Sequence, residues 1–157
     1  MSRSSAPRSA AVRSLALALA LCATAPAAAL AQEVLTEVSP VKMAKILTDL
    51  GIEAELGGDD DTPRFRFEYN GYRMLLFLAN QNTDAQLYIG FLDGEISDRE
   101  LNDWNRDHRF SRAYRDKDDD AVLEADLDFT GGVTEANIKA WIRLFASLAQ
   151  DYAKVVD

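Results

Sequence analysis

The chain has 157 residues, 17 basic against 26 acidic, for a formal charge of −9, with one histidine and one cysteine. Such an excess of carboxylates excludes a nucleic-acid binder or a coat on anionic membrane, because both need basic patches to meet phosphate. A single cysteine excludes an internal disulfide framework, so burial of apolar surface must hold the fold by itself.

Arg3, Arg8 and Arg13 precede a small and apolar run from Leu15 to Ala31, which closes Ala29-Leu30-Ala31 before Gln32. A basic head, an apolar stretch of about a dozen residues and a small-x-small ending describe a secretory signal peptide, cut after Ala31. The run is too short and too rich in alanine for a spanning helix, which needs about 20 apolar residues, so no stable membrane insertion is expected after cleavage. Leu21 stands before Cys22 where a lipidated leader would want a small residue. The expected location is the periplasm or the medium. Three of the 17 basic residues and none of the 26 acidic ones precede residue 32, so residues 32–157 carry 14 against 26, a charge of −12. That length suits one domain, burying about two-thirds of its unfolded surface.

Residues 32–38 show no period and read as a short tether to a single domain, 39–157. Ser39-Pro40 opens a helix, with serine as cap and proline at the first helical position. Val41, Ala44, Leu47 and Leu50 form its stripe, with Met43 and Ile46 alongside, and Gly51 supplies a left-handed stop. Ile52–Leu56 alternates as a short strand before the turn Gly57-Gly58-Asp59-Asp60-Asp61. Phe65, Phe67 and Tyr69 then alternate with Arg64, Arg66 and Glu68, the period of a half-buried strand. Asn70-Gly71 marks a tight hairpin, because both central positions of its turn need positive φ. Tyr72–Ala79 is apolar on both faces and belongs mid-sheet, where the second helix or a partner subunit must cover its far side. After a turn at Gln81–Asp84, residues Leu87, Ile89 and Phe91 complete a four-stranded meander.

Ser97 and Glu100 form a capping box, flanked by Ile96 and Leu101 as a staple, and Leu101 and Trp104 point inward together. After Asn105 the period becomes two: Phe110, Arg112 and Tyr114, then an acidic turn at Asp116–Asp120. Beyond it Leu123, Ala125, Leu127 and Phe129 face in, and Glu124, Asp126 and Asp128 face out. Centring that hairpin on Asp118 sets Arg112 opposite Glu124. Gly131-Gly132 ends the sheet and Thr134 caps the last helix. Its stripe runs Ile138, Trp141, Ile142, Phe145, Leu148, Ala149, Tyr152 and Val156, and Leu144 and Val155 widen it beyond the usual arc of about 100°.

The chemistry is sparse. Asp116, Asp118 and Asp120 have the spacing of a calcium loop, but Ala121 stands where glycine is required and Leu127 where a bidentate glutamate is required. A solvated turn explains them, and Asp59-Asp60-Asp61 likewise. His108 alone builds neither a triad nor a zinc site and reads as a structural residue at a helix end. Ser111 lacks the glycines of a nucleophile elbow. Gly131-Gly132 lacks the lysine of a phosphate loop. No catalytic, metal or cofactor-binding residue is assigned, and no cofactor is expected. Arg106, Arg109, Arg112 and Arg115 form the one local basic cluster, beside Trp104, Phe110 and Tyr114. Either they neutralise Glu124, Asp126 and Asp128, or they make a face for carboxylates or peptides. The candidate partner-binding residues are therefore Arg109, Arg112 and Tyr114, with Leu144, Leu148 and Val155 on the surplus flank of the last helix. The partner would be an unidentified protein or a second copy of the chain.

Trp104-Asn105, Arg109-Phe110-Ser111-Arg112-Ala113-Tyr114, Leu123-Glu124-Ala125-Asp126-Leu127 and Gly131-Gly132-Val133, in that order, resemble the YbjN domain family of bacteria. The likeness extends less sharply back to the first helix. That family is described as sensory transduction regulators and is similar in fold to type III secretion chaperones. The resemblance implies a small, acidic α+β protein, usually dimeric, ordered helix, three strands, helix, two strands, helix. It carries over no catalytic residue. The chain departs from cytoplasmic relatives in having a leader, so the reading is an exported, non-enzymatic binding or regulatory module. The alternative is a small-molecule or peptide binder using the arginine–aromatic face around Arg112.

Overall fold

Ser39 Oγ accepts the Lys42 N–H at 3.3 Å and Pro40 stands first in the helix, so α1 runs Pro40–Asp49 and turns off through Gly51 at φ +74°. The computed structural model describes residues 32–59 and 61–156. The segment read as a signal peptide lies outside them. The buried face of α1 is Met43, Ile46 and Leu47, with Leu50 packed beside them. Val41, expected in the stripe, is 81% exposed. Positions 43, 46, 47 and 50 follow the i, i+3, i+4, i+7 rule of one helical face, and 41 falls outside it.

The chain then forms the meander β1 (Ala54–Gly58), β2 (Pro63–Tyr69), β3 (Tyr72–Ala79) and β4 (Asp84–Phe91). Asn70 and Gly71 take φ of +53° and +84° at the β2–β3 turn, as a two-residue hairpin demands. Ser97 and Glu100 close the expected capping box on α2 (Asp98–Asp107). Next come β5 (Arg112–Arg115), β6 (Ala121–Asp128) and α3 (Glu135–Tyr152), whose cap is Thr134. The six strands are ordered β1-β2-β3-β4-β6-β5 and every pair is antiparallel. This is the α+β class expected, and the short strand after α1 is a full member of the sheet, shifted to Ala54–Gly58.

One face of the sheet carries the core. Phe65, Phe67, Met74, Leu76, Leu78, Leu87, Ile89, Leu123 and Ala125 are buried there with Ile138, Ile142, Phe145, Ala149 and Tyr152 of α3. Each Leu, Ile, Phe or Met side chain among them stabilises the fold by about 1.5–3 kcal/mol through removal from water. Trp104 of α2 joins this layer edge-on to Tyr152, ring centroids 4.9 Å apart. Leu148 and Val155 are partly buried against the core, whereas Leu144 stays 40% exposed.

The second helix therefore lies with the other two and does not cover the far face of β3. There Leu75 and Phe77 are half-buried, flanked in register by Arg64, Arg66, Gln86 and Tyr88. Phe77 and Tyr88 meet edge to face at 6.5 Å.

Residues 32–38 are pinned to the domain. Leu35 and Val133 exchange backbone hydrogen bonds of 2.7 and 2.9 Å, and the fully buried Val38 donates its N–H to Asn82 O at 2.9 Å. A tether would have no such partners.

Candidate functional site

The joint between α2 and β5 is built from side chains that close off a strand edge. Trp104 Nε1 donates to Ser111 Oγ at 3.2 Å. His108 caps the helix C-terminus and stacks on Trp104 at 3.7 Å and 8°, its Nδ1 3.3 Å from the Trp104 carbonyl. Asn105 does more. Its Nδ2 donates to Ala113 O and its Oδ1 accepts the Ala113 N–H, both at 2.9 Å. Ala113 is the β5 residue whose backbone groups point away from β6, so the asparagine side chain stands where another strand would pair.

Across the far face of the sheet one row reads Arg112, Glu124, Tyr88, Leu75, Arg66 and Glu55, neighbour by neighbour. Arg112 does sit opposite Glu124, as the hairpin parity requires, and forms an ion pair with it. Glu124 also accepts the Tyr114 O–H at 2.8 Å, and the Arg112 guanidinium lies 5.2 Å from the centre of the Tyr114 ring. The sequence expectation that Glu124 faces solvent fails. It is 2% exposed, because Arg112, Tyr114 and Tyr88 crowd over it. Gly90 makes room for Tyr88, whose hydroxyl would lie only 3.3 Å from a Cβ there. Burial, then the hydrogen bond to Glu124, holds the Tyr114 phenol well above the ordinary tyrosine range. Burial and the charges of Asp116, Asp120 and Glu124 push Tyr88 upward too.

The other arginines find other acids. Arg115 pairs with Asp98 and Asp119, and Arg106 with Asp103 and Asp107. Arg109 lies over the Phe110 ring at 5.0 Å. Mutual neutralisation with β6 is thus confined to Arg112, while Asp126 is bonded to Gln86 at 3.1 Å. Asp116 builds the hairpin turn, accepting the N–H groups of Asp118 and Asp120 at 2.9 and 3.1 Å. Among the described residues no group of three or more His, Cys, Asp or Glu side chains is placed to hold a metal. No helix among them is long and apolar enough to cross a membrane.

Phe110 takes φ +67°, a left-handed conformation rare for a bulky residue. The chain swings away there, so β5 starts only at Arg112 and β6 continues past Glu124 without a neighbour on that side. Alongside that stretch lies an open groove of about 540 Å3. Its walls are residues 124–127 of β6, Ala140, Trp141 and Leu144 of α3, and Phe110 with Ser111. Phe110 is 65% exposed and Leu144 40%. Of the candidate residues, Leu144 lines the groove, Arg109 stacks on one of its walls, and Arg112 and Tyr114 meet at Glu124 on its end. Leu148 and Val155 are not part of it. From sequence Trp141 reads only as part of the α3 stripe and residues 125–128 only as strand positions, since nothing in the composition marks where a strand loses its neighbour.

The family model YbjN, described as "Putative bacterial sensory transduction regulator", matches residues 39–157. The chain belongs to the YbjN family. This YbjN domain is also similar to a solved structure, that of the Yersinia pestis type III secretion chaperone SycH in complex with a stable fragment of YscM2. The match covers 71% of this chain and 93% of that one, with 18% identity and a TM-score of 0.51. At that identity the likeness speaks for a shared fold. No curated protein matches the chain.

Proposed function

We propose that this YbjN-family chain is an exported, non-enzymatic protein-binding module, and that its docking surface is the groove between α3 and the free stretch of β6. One observation carries the reading: exposed Phe110 and Leu144 both line a groove that runs beside the stretch of β6 left without a neighbour on one side. Protein binding is supported by the regulator description of the family and by the fold held in common with a chaperone solved bound to a protein fragment. Support for export is the leader-like stretch before Gln32.

A small-molecule site on Arg112 is the weaker reading, since its guanidinium is already engaged by Glu124 and the Tyr114 ring. A homodimer through α3 would have to rely on Leu144, because Leu148 and Val155 are packed against the core.

A photo-crosslinking residue placed at Leu144 of the full chain, expressed in its bacterial host, should trap a protein partner that the same residue at Val41 does not. Val41 is 81% exposed on α1 and serves as the surface control. Phe110→Glu should abolish the Leu144 product. Identical products from both positions would sink the groove. N-terminal sequencing of the purified protein should begin at Gln32, and an intact Met1 would refute cleavage there; recovery in the cytoplasmic fraction would refute export.

A further inference from the structure

We infer that the groove binds its partner by strand addition to β6, and that the bound segment is extended and alternates basic, apolar, basic. This rests on the docking reading above and goes on to specify the geometry and chemistry of the occupant.

The ladder fixes which backbone groups are free. Phe129 donates its N–H to Thr83 O at 2.8 Å, and these two residues continue the register in which Asp128 faces Asp84. In an antiparallel pair the hydrogen-bonding direction alternates residue by residue. The odd-numbered residues of β6 therefore turn their N–H and C=O toward β4, and the even ones turn theirs to the other side. Val122 and Glu124 meet β5 there. Asp126 and Asp128 have no backbone partner on that side among the described residues. The two possible pairing edges next to each other are treated differently: Asn105 occupies the outer edge of β5, while the β6 edge is bare and backed by apolar side chains of α3. A bare edge next to an apolar groove is the arrangement that takes up an extended peptide as an added strand.

Side-chain parity then writes the occupant's pattern. Residues paired with Asp126 and Asp128 point to the same face as those two carboxylates, and the residue paired with Leu127 points to the α3 side, toward Leu144 and Trp141. Opposite charge across a strand pair stabilises it and like charge destabilises it. The pattern is therefore Arg or Lys, an aliphatic residue, Arg or Lys. A second copy fails this test: a two-fold β6–β6 pairing centred on Leu127 would set Asp126 against Asp128 of the other copy and bring together two domains of strong negative charge.

The probe is a capped nine-residue peptide with an arginine-valine-arginine centre in serine and threonine flanks, titrated into the full chain by fluorescence anisotropy at low salt. It should bind at least ten-fold tighter than a peptide of the same composition with the two arginines adjacent. Methylating the two arginine amide nitrogens should abolish binding, because strand addition needs those donors. Asp126→Lys should weaken it at least ten-fold and transfer preference to the analogue in which only the arginine facing position 126 is replaced by glutamate; the site is exposed and bonded only to Gln86, so the variant should fold. Binding that ignores methylation or residue order would overturn strand addition, and the docking reading would still stand if Leu144 crosslinks persist. Peptide binding that survives Leu144→Glu, together with a Leu144 crosslink that survives Phe110→Glu, would remove both. Self-association of the chain in competition with the peptide would assign the edge to a second copy and overturn the basic-segment occupant.

Discussion

Replacing Asn105 with alanine tests the idea that its amide substitutes for a missing strand. The side chain makes two bonds of 2.9 Å to the part-buried N–H and C=O of Ala113. A buried backbone donor left unpaired costs about 1–3 kcal/mol, and the carbonyl adds less because it has a second lone pair and some access to water. The expected loss is about 2–3 kcal/mol. A domain of this size loses roughly 3–5 °C of melting temperature per kcal/mol, so the midpoint should fall by about 10 °C. Asn105→Asp keeps an acceptor for the Ala113 N–H but sets a carboxylate oxygen against the Ala113 carbonyl, so it should be no better than alanine near neutral pH. Urea unfolding followed by circular dichroism gives the energy, and hydrogen exchange at the Ala113 amide locates it. A change below about 0.5 kcal/mol, or undiminished protection of that amide, would refute the reasoning.

Three further outcomes are expected. Tyr114→Phe and Glu124→Gln should couple by about 1.5–3 kcal/mol in a double-mutant cycle, the range for a hydrogen bond to a charged group; additivity within about 0.5 kcal/mol would show the bond is inert. The Tyr152 hydroxyl is buried with no partner among the described residues, and burial pushes its pKa up to about 12. Tyr152→Phe should therefore leave stability unchanged or raise it by up to about 1 kcal/mol, and a clear loss in the urea midpoint would mean the hydroxyl is satisfied after all. Acid should unfold the domain in a defined window. Asp49 is held below its ordinary value of 3.8 by Lys45 and Lys139, Glu100 below 4.5 by Ser97, and Glu135 below 4.5 by Lys42. A folded-state pKa below the unfolded one gives stability that is present above the unfolded value and lost as pH falls through the folded value. The urea midpoint should hold from pH 7 to 5 and drop below about pH 4.5; a flat profile down to pH 3 would contradict these pairings.

Where sequence signals were local, they located the structure. Ser97 and Glu100 announce α2, and Asn70-Gly71 announces the β2–β3 turn, because each needs only its own backbone and side chains. The Arg112–Glu124 register followed from period two and a turn centre. Burial of Glu124 did not, since parity names the face of a strand but not what crowds over it. On α1, two overlapping stripes share Leu47 and Leu50, and only the sheet beneath selects the one through Met43. The two-sided apolar character of β3 called for a cover, which is supplied from neighbouring strands by long polar and aromatic side chains and not by a helix. The groove was the least legible feature. It exists because Phe110 adopts a left-handed backbone that no residue preference would assign to phenylalanine, and because Asn105 seals one edge while leaving the next one bare.

The corner at Asn80–Thr83 ties together three parts of the chain that are far apart in order. Asn82 receives Val38, Thr83 receives Phe129, and Leu35 is laced to Val133 nearby in sequence to both partners. The first two closures each span about 45 residues, so they are made only after a large loss of loop entropy. Hairpins with short turns will form first and the corner last. Amides at Val38 and Phe129 should then report the final step of folding and the earliest step of unfolding. Substitutions there should mainly hasten unfolding and leave the folding rate nearly untouched.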